Sequence, residues 1–185
     1  MRIALTGGIG SGKSYVCRLL EQRGISIYDC DAAAKRLMRT STALQQKLQA
    51  LVGKDVYIDG RLNKAKMTLF LMASEENAKA INDTIHPAVA DDFLKSDYQW
   101  MECAILFESG FDRLVDRTIC VTAPEEVRIE RIMMRDGISR EKALEWMGRQ
   151  WPQEDVVRRA DYCIVNDGAE PLEEQIDTIL SLINS

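Results

Sequence analysis

Eight consecutive residues carry the most explicit chemistry in this chain. Gly7-Gly8-Ile9-Gly10-Ser11-Gly12-Lys13-Ser14 matches the pattern G-x-x-x-x-G-K-[ST] in full. Glycines at these positions let successive backbone N–H groups turn inward as an anion nest, and a helix starting at the last residues adds positive potential. Lys13 supplies a point charge for β- and γ-phosphates, and Ser14 offers its hydroxyl to Mg²⁺. With glycine near 7% of residues, a chance match in a chain this long is roughly a one-in-a-hundred event. The bland alternative is a glycine-rich turn that binds nothing. The run Arg2-Ile3-Ala4-Leu5-Thr6 reads as a strand entering the motif, and a helical period begins at Lys13, which is the context the motif requires. Residues Gly8 to Ser14, with Tyr15 directly after them, are the candidate site for a nucleoside triphosphate.

Asp29-Cys30-Asp31 follows a second β-rich run, Ile25-Ser26-Ile27-Tyr28. Ligands of open α/β sheets sit beyond the carboxyl ends of the strands. An aspartate there could accept the proton of an attacking hydroxyl or hold Mg²⁺ through water. If the strand persists, both acids point to one side. The competing reading is that Asp31 caps the helix opening at Ala32, and position alone leaves the two readings level. The only histidine, His86, excludes a multi-histidine metal site and makes a carboxylate the expected general base. Placed before Pro87, it reads as a packing residue first.

Arg128, Arg131, Arg135, Arg140 and Arg149 spread over two helices joined at Asp136-Gly137-Ile138. Phosphoryl transfer needs cations around the moving charge, often delivered by a closing lid. Each arginine by itself also fits a solvated helix face, paired with Glu125, Glu130 or Glu141. Two other uses of a phosphate loop lack their signatures. Asn63-Lys64-Ala65-Lys66 misses the aspartate of the guanine-reading N-K-x-D, and the apolar run Cys103 to Phe107 ends in Glu108 rather than in a Mg²⁺-binding aspartate.

These residues need a scaffold, and the chain's periodicity supplies one. Val16, Leu19 and Leu20 share a helix face. Helical sequence runs from about Ala32 to Leu71, broken at Gly53 and Asp59-Gly60, and a long helix opens at Ser74 with Ala78, Ile81, Ile85 and Val89 inward and a break expected at Pro87. Trp100 to Phe107, Thr118 to Val121 and Tyr162 to Val165 are apolar enough for strands covered on both faces. Thr122-Ala123-Pro124-Glu125 resembles a capping box, Ser139 starts a helix carrying Ala143, Leu144 and Met147, and Pro171 opens a last helix with Leu172, Ile176, Ile179, Leu180 and Ile183 on one face. The run Met67 to Met72 and the residues Trp146 and Trp151 read as core. Strands alternating with helices give an α/β fold with a doubly wound parallel five-stranded sheet.

The chain has 185 residues, 46% hydrophobic and 29% charged, with a net charge of −5, and so suits a single domain. Its longest stretch free of Asp, Glu, Lys and Arg is ten residues, Ile3 to Gly12, about half a membrane span, and it lacks a signal-peptide cleavage pattern. The acidic balance argues against a nucleic-acid partner and leaves room for a small anion in a local basic pocket. Cys17, Cys30, Cys103, Cys120 and Cys163 are odd in number and never spaced C-x-x-C, which reads as buried free thiols in a reducing, cytoplasmic setting.

Nearly end to end, the chain resembles the dephospho-coenzyme A kinases. The resemblance rests on Leu5 to Ser14, Asp29-Cys30-Asp31, Asp59-Gly60-Arg61-Leu62, Ile85-His86-Pro87, Leu106-Phe107-Glu108, Arg131 and Arg135 before Asp136, Gln150, and Ala160-Asp161-Tyr162-Cys163-Ile164-Val165-Asn166-Asp167-Gly168. It implies ATP-dependent phosphorylation of the ribose 3′-hydroxyl of dephospho-CoA, with Mg²⁺, as the last step of coenzyme A biosynthesis. It implies Asp31 as general base beside Lys13, and Arg131, Arg135 and Arg140 as lid residues facing phosphate. Asn166 would lie near the adenine, and Asp29, Arg61, His86 and Glu108 would serve the acceptor substrate. The fold implied is of the phosphate-loop kinase type: a core of about 1–36, 98–127 and 155–185, a helical substrate-binding insertion of about 37–97 and a lid of about 128–150. Partners implied are ATP and dephospho-CoA, with no membrane; the oligomeric state stays open. Three positions depart from the family's pattern: Tyr15 for Thr, Lys64 for Arg and Ala104 for Pro. The alternatives are another small-molecule or nucleoside monophosphate kinase, or a nucleotide-dependent binding or switch module.

Overall fold

The computed structural model describes residues 1–183. Its centre is β1 (Ile3–Thr6), buried at every position, as an uncharged apolar run must be when both faces of its sheet are covered. Strands are numbered in chain order: β2 (Ile27–Asp29), β3 (Tyr57–Ile58), β4 (Arg61–Leu62), β5 (Trp100–Glu102), β6 (Arg117–Thr122) and β7 (Tyr162–Val165). The main sheet runs β2-β5-β1-β6-β7, while β3 and β4 form a separate hairpin. β1 pairs in parallel with β5 and β6, and β6 with β7. From β1 the chain moves out to β2, returns to β5 and then crosses to β6 and β7. That reversal makes the sheet doubly wound, and it puts the carboxyl end of β1 at the switch point where ligands bind.

The chain divides into two compact units, Met1–Tyr28 together with the chain from Tyr98 onward, and Asp29–Asp97. In the first, Val16, Leu19 and Leu20 of α1 (Lys13–Glu21) join Leu5, Ile119, Val121 and Ile164 of the strands in one core. The last helix, Leu172–Ile183, adds Leu172, Ile176 and Ile179 to it, with Leu180 and Ile183 at its margin, as the heptad-like spacing predicts. Asp161 pins the start of β7 to β6: its Oδ2 accepts from Thr118 N and Thr118 Oγ1, each at 2.8 Å. A second cluster forms where Ile129 and Ile132 of the helix Glu125–Asp136 meet Ala143 of the helix Arg140–Met147. Ile9 of the phosphate loop packs against this cluster.

The second unit is built on the long helix Glu75–Lys95, capped by Ser74, whose Ile81, Ile85, Val89 and Phe93 are buried. The helices α2 (Cys30–Thr40), Thr42–Val52 and Lys64–Ala73 pack against it. Arg36 reaches Asp92 at 2.5 Å, and Tyr57 donates to the carbonyl of Met38 at 2.7 Å.

Several elements differ from the sequence expectation, each for a physical reason. Pro87 lies inside the long helix and does not end it. A proline there costs about 3 kcal/mol, and burying four large apolar side chains on both sides of it, at about 1.5–3 kcal/mol each, outweighs that. The strand expected over Trp100 to Phe107 stops at Glu102, because the chain then folds on itself, with Ser109 N bonding Ile105 O and Phe111 N bonding Leu106 O. The helix after β6 has Pro124 at its N-cap and no side-chain cap, so there is no capping box. The run Met67 to Met72 is apolar but for Thr68, and only one side of it is covered: Met67 is buried, while Leu69 and Met72 are 71% and 76% exposed. Leu144 also faces outward, and Trp151 lies at the surface. All five cysteines are free, but Cys163 is exposed and Cys17 only partly buried.

Candidate active site

The phosphate loop leaves β1 at Gly7 and turns through left-handed glycine conformations, with φ 81° at Gly10 and 93° at Gly12. A Cβ at Gly12 would land on the side-chain amide of Asn166, so both backbone angle and space demand glycine there. Gly12 then serves as N-cap of α1 without a side-chain cap. The amides of Gly10, Gly12, Lys13 and Ser14 have no protein acceptor among the described residues, as expected of donors at the head of a helix.

The other polar groups of the loop are taken. Gly8 N donates to Gln153 Oε1 at 2.9 Å, and Ile9 N to Gln150 Oε1 at 2.8 Å. Arg128 Nε donates to Ile9 O at 3.0 Å, Asn166 Nδ2 to Ser11 O at 2.9 Å, and Arg131 reaches Gly10 O and Ser11 O at 3.4 Å each. Arg131 also holds Asn166 through its carbonyl at 3.0 Å. The bracing residues come from 119 to 155 positions away in the chain.

Lys13 lies along this loop with its Nζ donating to Gly7 O at 2.7 Å and 3.8 Å from Glu102 Oε1. Burial pushes the ammonium below its ordinary value, and Glu102 opposes that shift. Glu102 ends β5 beside β1, opposite Leu5. Its carboxylate therefore stands at the strand end nearest the loop. Glu108, where the apolar run had suggested an acid, lies in a turn and accepts from Trp151 N at 3.0 Å. Glu102 is the residue sequence reading missed. Its signal was an acid after Trp100-Met101, masked by the apolar stretch that continues to Phe107. Gln153 was missed as well.

The two aspartates do not alternate along one strand. Asp29 ends β2 and caps α2, its Oδ1 accepting from Ala32 N at 2.9 Å, while Asp31 sits in the helix's first turn. The cap is therefore Asp29, not Asp31. That leaves the Asp31 side chain largely exposed and paired with Lys35 one turn on, and the pair holds the lysine's ammonium above its ordinary value. In the same unit, Arg61 is exposed on β4 and His86 is half-buried on the long helix. Burial lowers the His86 pKa, opposed by Asp83.

The arginines separate into two groups. Arg128 is buried under the loop, with burial lowering its pKa against the pull of Glu125, and Arg131 is the loop's other brace. Arg135 pairs with Asp136, Arg140 with Glu126 and Arg149 with Glu145, all at the surface. The partners Glu125, Glu130 and Glu141 suggested by helical spacing are not the ones used. Tyr15 is exposed, with Arg18 over its ring at 5.5 Å.

Comparison with known proteins places the chain among relatives of one family. A family model described as dephospho-CoA kinase matches residues 1–171. A dephospho-CoA kinase of Bacteroides fragilis is 38% identical over 190 aligned positions, spanning 99% of this chain and 93% of that protein. Among solved structures, a Thermus thermophilus protein superposes with a TM-score of 0.81 at 30% identity, over 100% of this chain and 96% of that one. A dephospho-CoA kinase from Campylobacter jejuni shares the fold with a TM-score of 0.69 at 20% identity, over 98% and 96%.

Because a methyl group at Gly12 strikes Asn166 and strains a left-handed φ, Gly12→Ala should weaken binding of a fluorescent ATP analogue by about tenfold or more. Titration of the variant beside the parent protein measures this directly.

Proposed function

The chain belongs to the dephospho-CoA kinase family, and from that premise we propose that it transfers the γ-phosphoryl group of ATP to the ribose 3′-hydroxyl of dephospho-CoA, giving CoA and ADP, the final step of CoA biosynthesis. The observation that carries the reading is the braced phosphate loop, with Lys13 held between the Gly7 carbonyl and Glu102.

The triphosphate of ATP lies on the open amides of Gly10, Gly12, Lys13 and Ser14, with the Lys13 ammonium as the cation on the β- and γ-phosphates. Because Lys13 is buried, its charge acts in a poorly screened setting, where it is worth more than at the surface. The donor set suits Mg²⁺: the Ser14 hydroxyl, next in sequence to Lys13, and the Glu102 carboxylate, 3.8 Å from its ammonium, are hard oxygen donors that would hold the ion together with the phosphates. Among the described residues no group of three or more His, Cys, Asp or Glu could hold a metal by itself. An ion shared with the nucleotide is the arrangement that such a sparse set allows. Bound there, Mg²⁺ supplies charge neutralisation on the transferring phosphate.

The 3′-oxygen attacks the γ-phosphorus, the bond to the β–γ bridging oxygen breaks, and ADP leaves. Asp31 takes the hydroxyl proton. Its exposure and its easily exchanged surface partner Lys35 leave the carboxylate accessible, and Asp29 frees it by doing the capping. Residues of about 37–97 receive dephospho-CoA, with Asp29, Arg61, His86 and Glu108 as its candidate contacts. Within the proposed lid, Arg128 and Arg131 are fixed braces. The mobile cations are then Arg135 and Arg140, which reach phosphate by exchanging Asp136 and Glu126.

Incubation with Mg²⁺ and ATP, offering dephospho-CoA, AMP, CMP and pantothenate in turn, should yield one phosphorylated product, CoA, by mass spectrometry. Preferential phosphorylation of another acceptor would overturn the assignment. Asp31→Asn should retain ATP affinity while kcat falls by roughly 10²–10⁴-fold, the usual worth of a general base. A loss under about tenfold would remove Asp31 from that role. Glu102→Gln should raise the Mg²⁺ concentration for half-maximal rate by about tenfold, the scale of one lost charge-assisted contact. An unchanged Mg²⁺ titration would place the ion's protein ligand elsewhere.

A further inference from the structure

Two glutamine side chains reach the phosphate loop from the joint between the helices Arg140–Met147 and Gln153–Arg159, and nothing in the reaction chemistry calls for them. A backbone N–H can only donate, so the amide groups of Gln150 and Gln153 must each present oxygen to Ile9 N and Gly8 N. The second glutamine is oriented further, its Nε2 donating to Cys120 Sγ at 3.2 Å. Burial pushes that thiol up to about 12, so it stays a neutral partner over the working pH range.

The joint itself is held from both sides. Trp151 N donates to Glu108 Oε1 at 3.0 Å, the Arg159 guanidinium lies 4.8 Å from the Trp151 ring centre, and Pro152 starts the following helix at φ −52°. Two acceptors carried on so fixed a segment do more than fill space. The loop has more N–H groups than a triphosphate should meet, and an unbonded one beside the ligand would compete for phosphate oxygens and shift the register. Gln150 and Gln153 remove the first two donors, Gly8 and Ile9. Arg128, Arg131 and Asn166 fix the carbonyls, and the amides from Gly10 onward stay open.

We propose that Gln150 and Gln153 are positioning residues for nucleotide binding, their side-chain oxygens holding the first two amides of the phosphate loop away from the ligand so that the next ones register on the triphosphate. This rests on the proposed function only in taking ATP as the ligand of the loop.

The test uses the full chain with Gln150→Met, Gln153→Met and Gln153→Glu, titrated with a fluorescent ATP analogue in the absence of dephospho-CoA. Methionine keeps the length and removes the acceptor. Glutamate keeps the acceptor, and Arg128, whose guanidinium lies against the same face of Gly8, offsets its charge. Each methionine variant should lose affinity by about tenfold, the scale of one orphaned buried donor. Gln153→Glu should stay within about threefold of the parent protein, and KM for dephospho-CoA should stay within about twofold throughout.

Parent-like ATP affinity in both methionine variants would overturn the inference. So would Gln153→Glu binding as weakly as Gln153→Met, or both substrates' KM rising together with a lowered Tm, which marks a merely structural role. Should a methionine variant not fold, Gln153→Glu still decides: retained affinity supports the acceptor role and a tenfold loss ends it. If the acceptor substrate were misassigned, the parent protein would bind the ATP analogue yet make no CoA, and the glutamine test would remain readable.

Discussion

The site depends on a conflict that backbone chemistry imposes. A buried N–H without an acceptor is costly, yet a loop that binds phosphate must keep several N–H groups unbonded until the ligand arrives. This chain resolves it by division. The amides from Gly10 to Ser14, Ser11 apart, stand open at the head of α1, while Gly8 N, Ile9 N and the carbonyls of Ile9, Gly10 and Ser11 are tied to residues from 119 to 155 positions downstream. The sheet makes those ties possible. Placing β6 and β7 on one side of β1 brings the helix after β6 and the segment after β7 to the same end as the loop. The fold is thus the device that lets a short run of glycines remain unsatisfied and ordered.

Charge follows the same logic. A net −5 repels ATP and dephospho-CoA at long range, so attraction must be supplied within a few ångströms. In the proposed reaction Lys13 provides it, placed where burial limits screening and with Glu102 3.8 Å away to offset the cost of that burial. The exposed arginines add to that attraction only on leaving the carboxylate partners they hold in solvent. Acidity overall therefore says nothing against nucleotides, only against partners that read the whole surface.

What was legible in the residues is what physics writes locally. The phosphate loop is a consecutive motif, and the last helix announces its buried face by spacing. The sheet's strands are found from uncharged runs, although their ends are not. β5 illustrates why: the apolar stretch from Trp100 to Phe107 does not reveal that only its first part pairs with β1, so the acid that matters, Glu102, reads as interior and Glu108 reads as terminal. Pro87 shows the reverse failure, a local rule overridden by burial on both sides of it. Gln153 carries no local signature at all, and Gln150 enters only as one position of the family resemblance, with no role attached. Glutamine is unremarkable in sequence, and its role exists only once a strand order has carried it across more than 140 positions to Ile9 and Gly8.

The pair Asp29 and Asp31 shows how a single boundary can decide chemistry. If β2 ran two residues further, both carboxylates would lie on one side of a strand and compete for one role. Because α2 begins at Cys30, the first aspartate is used up in accepting Ala32 N, and the second is displaced onto the helix's first turn. Capping is worth about 1 kcal/mol and fixes its residue's rotamer, so a capping carboxylate is poorly suited to collect a proton. A first-turn carboxylate whose partner is an exposed lysine keeps its oxygens within reach of a ligand. The division of labour between the two acids therefore follows from where the helix starts, without either residue changing type, and the proposal of Asp31 as base rests on it.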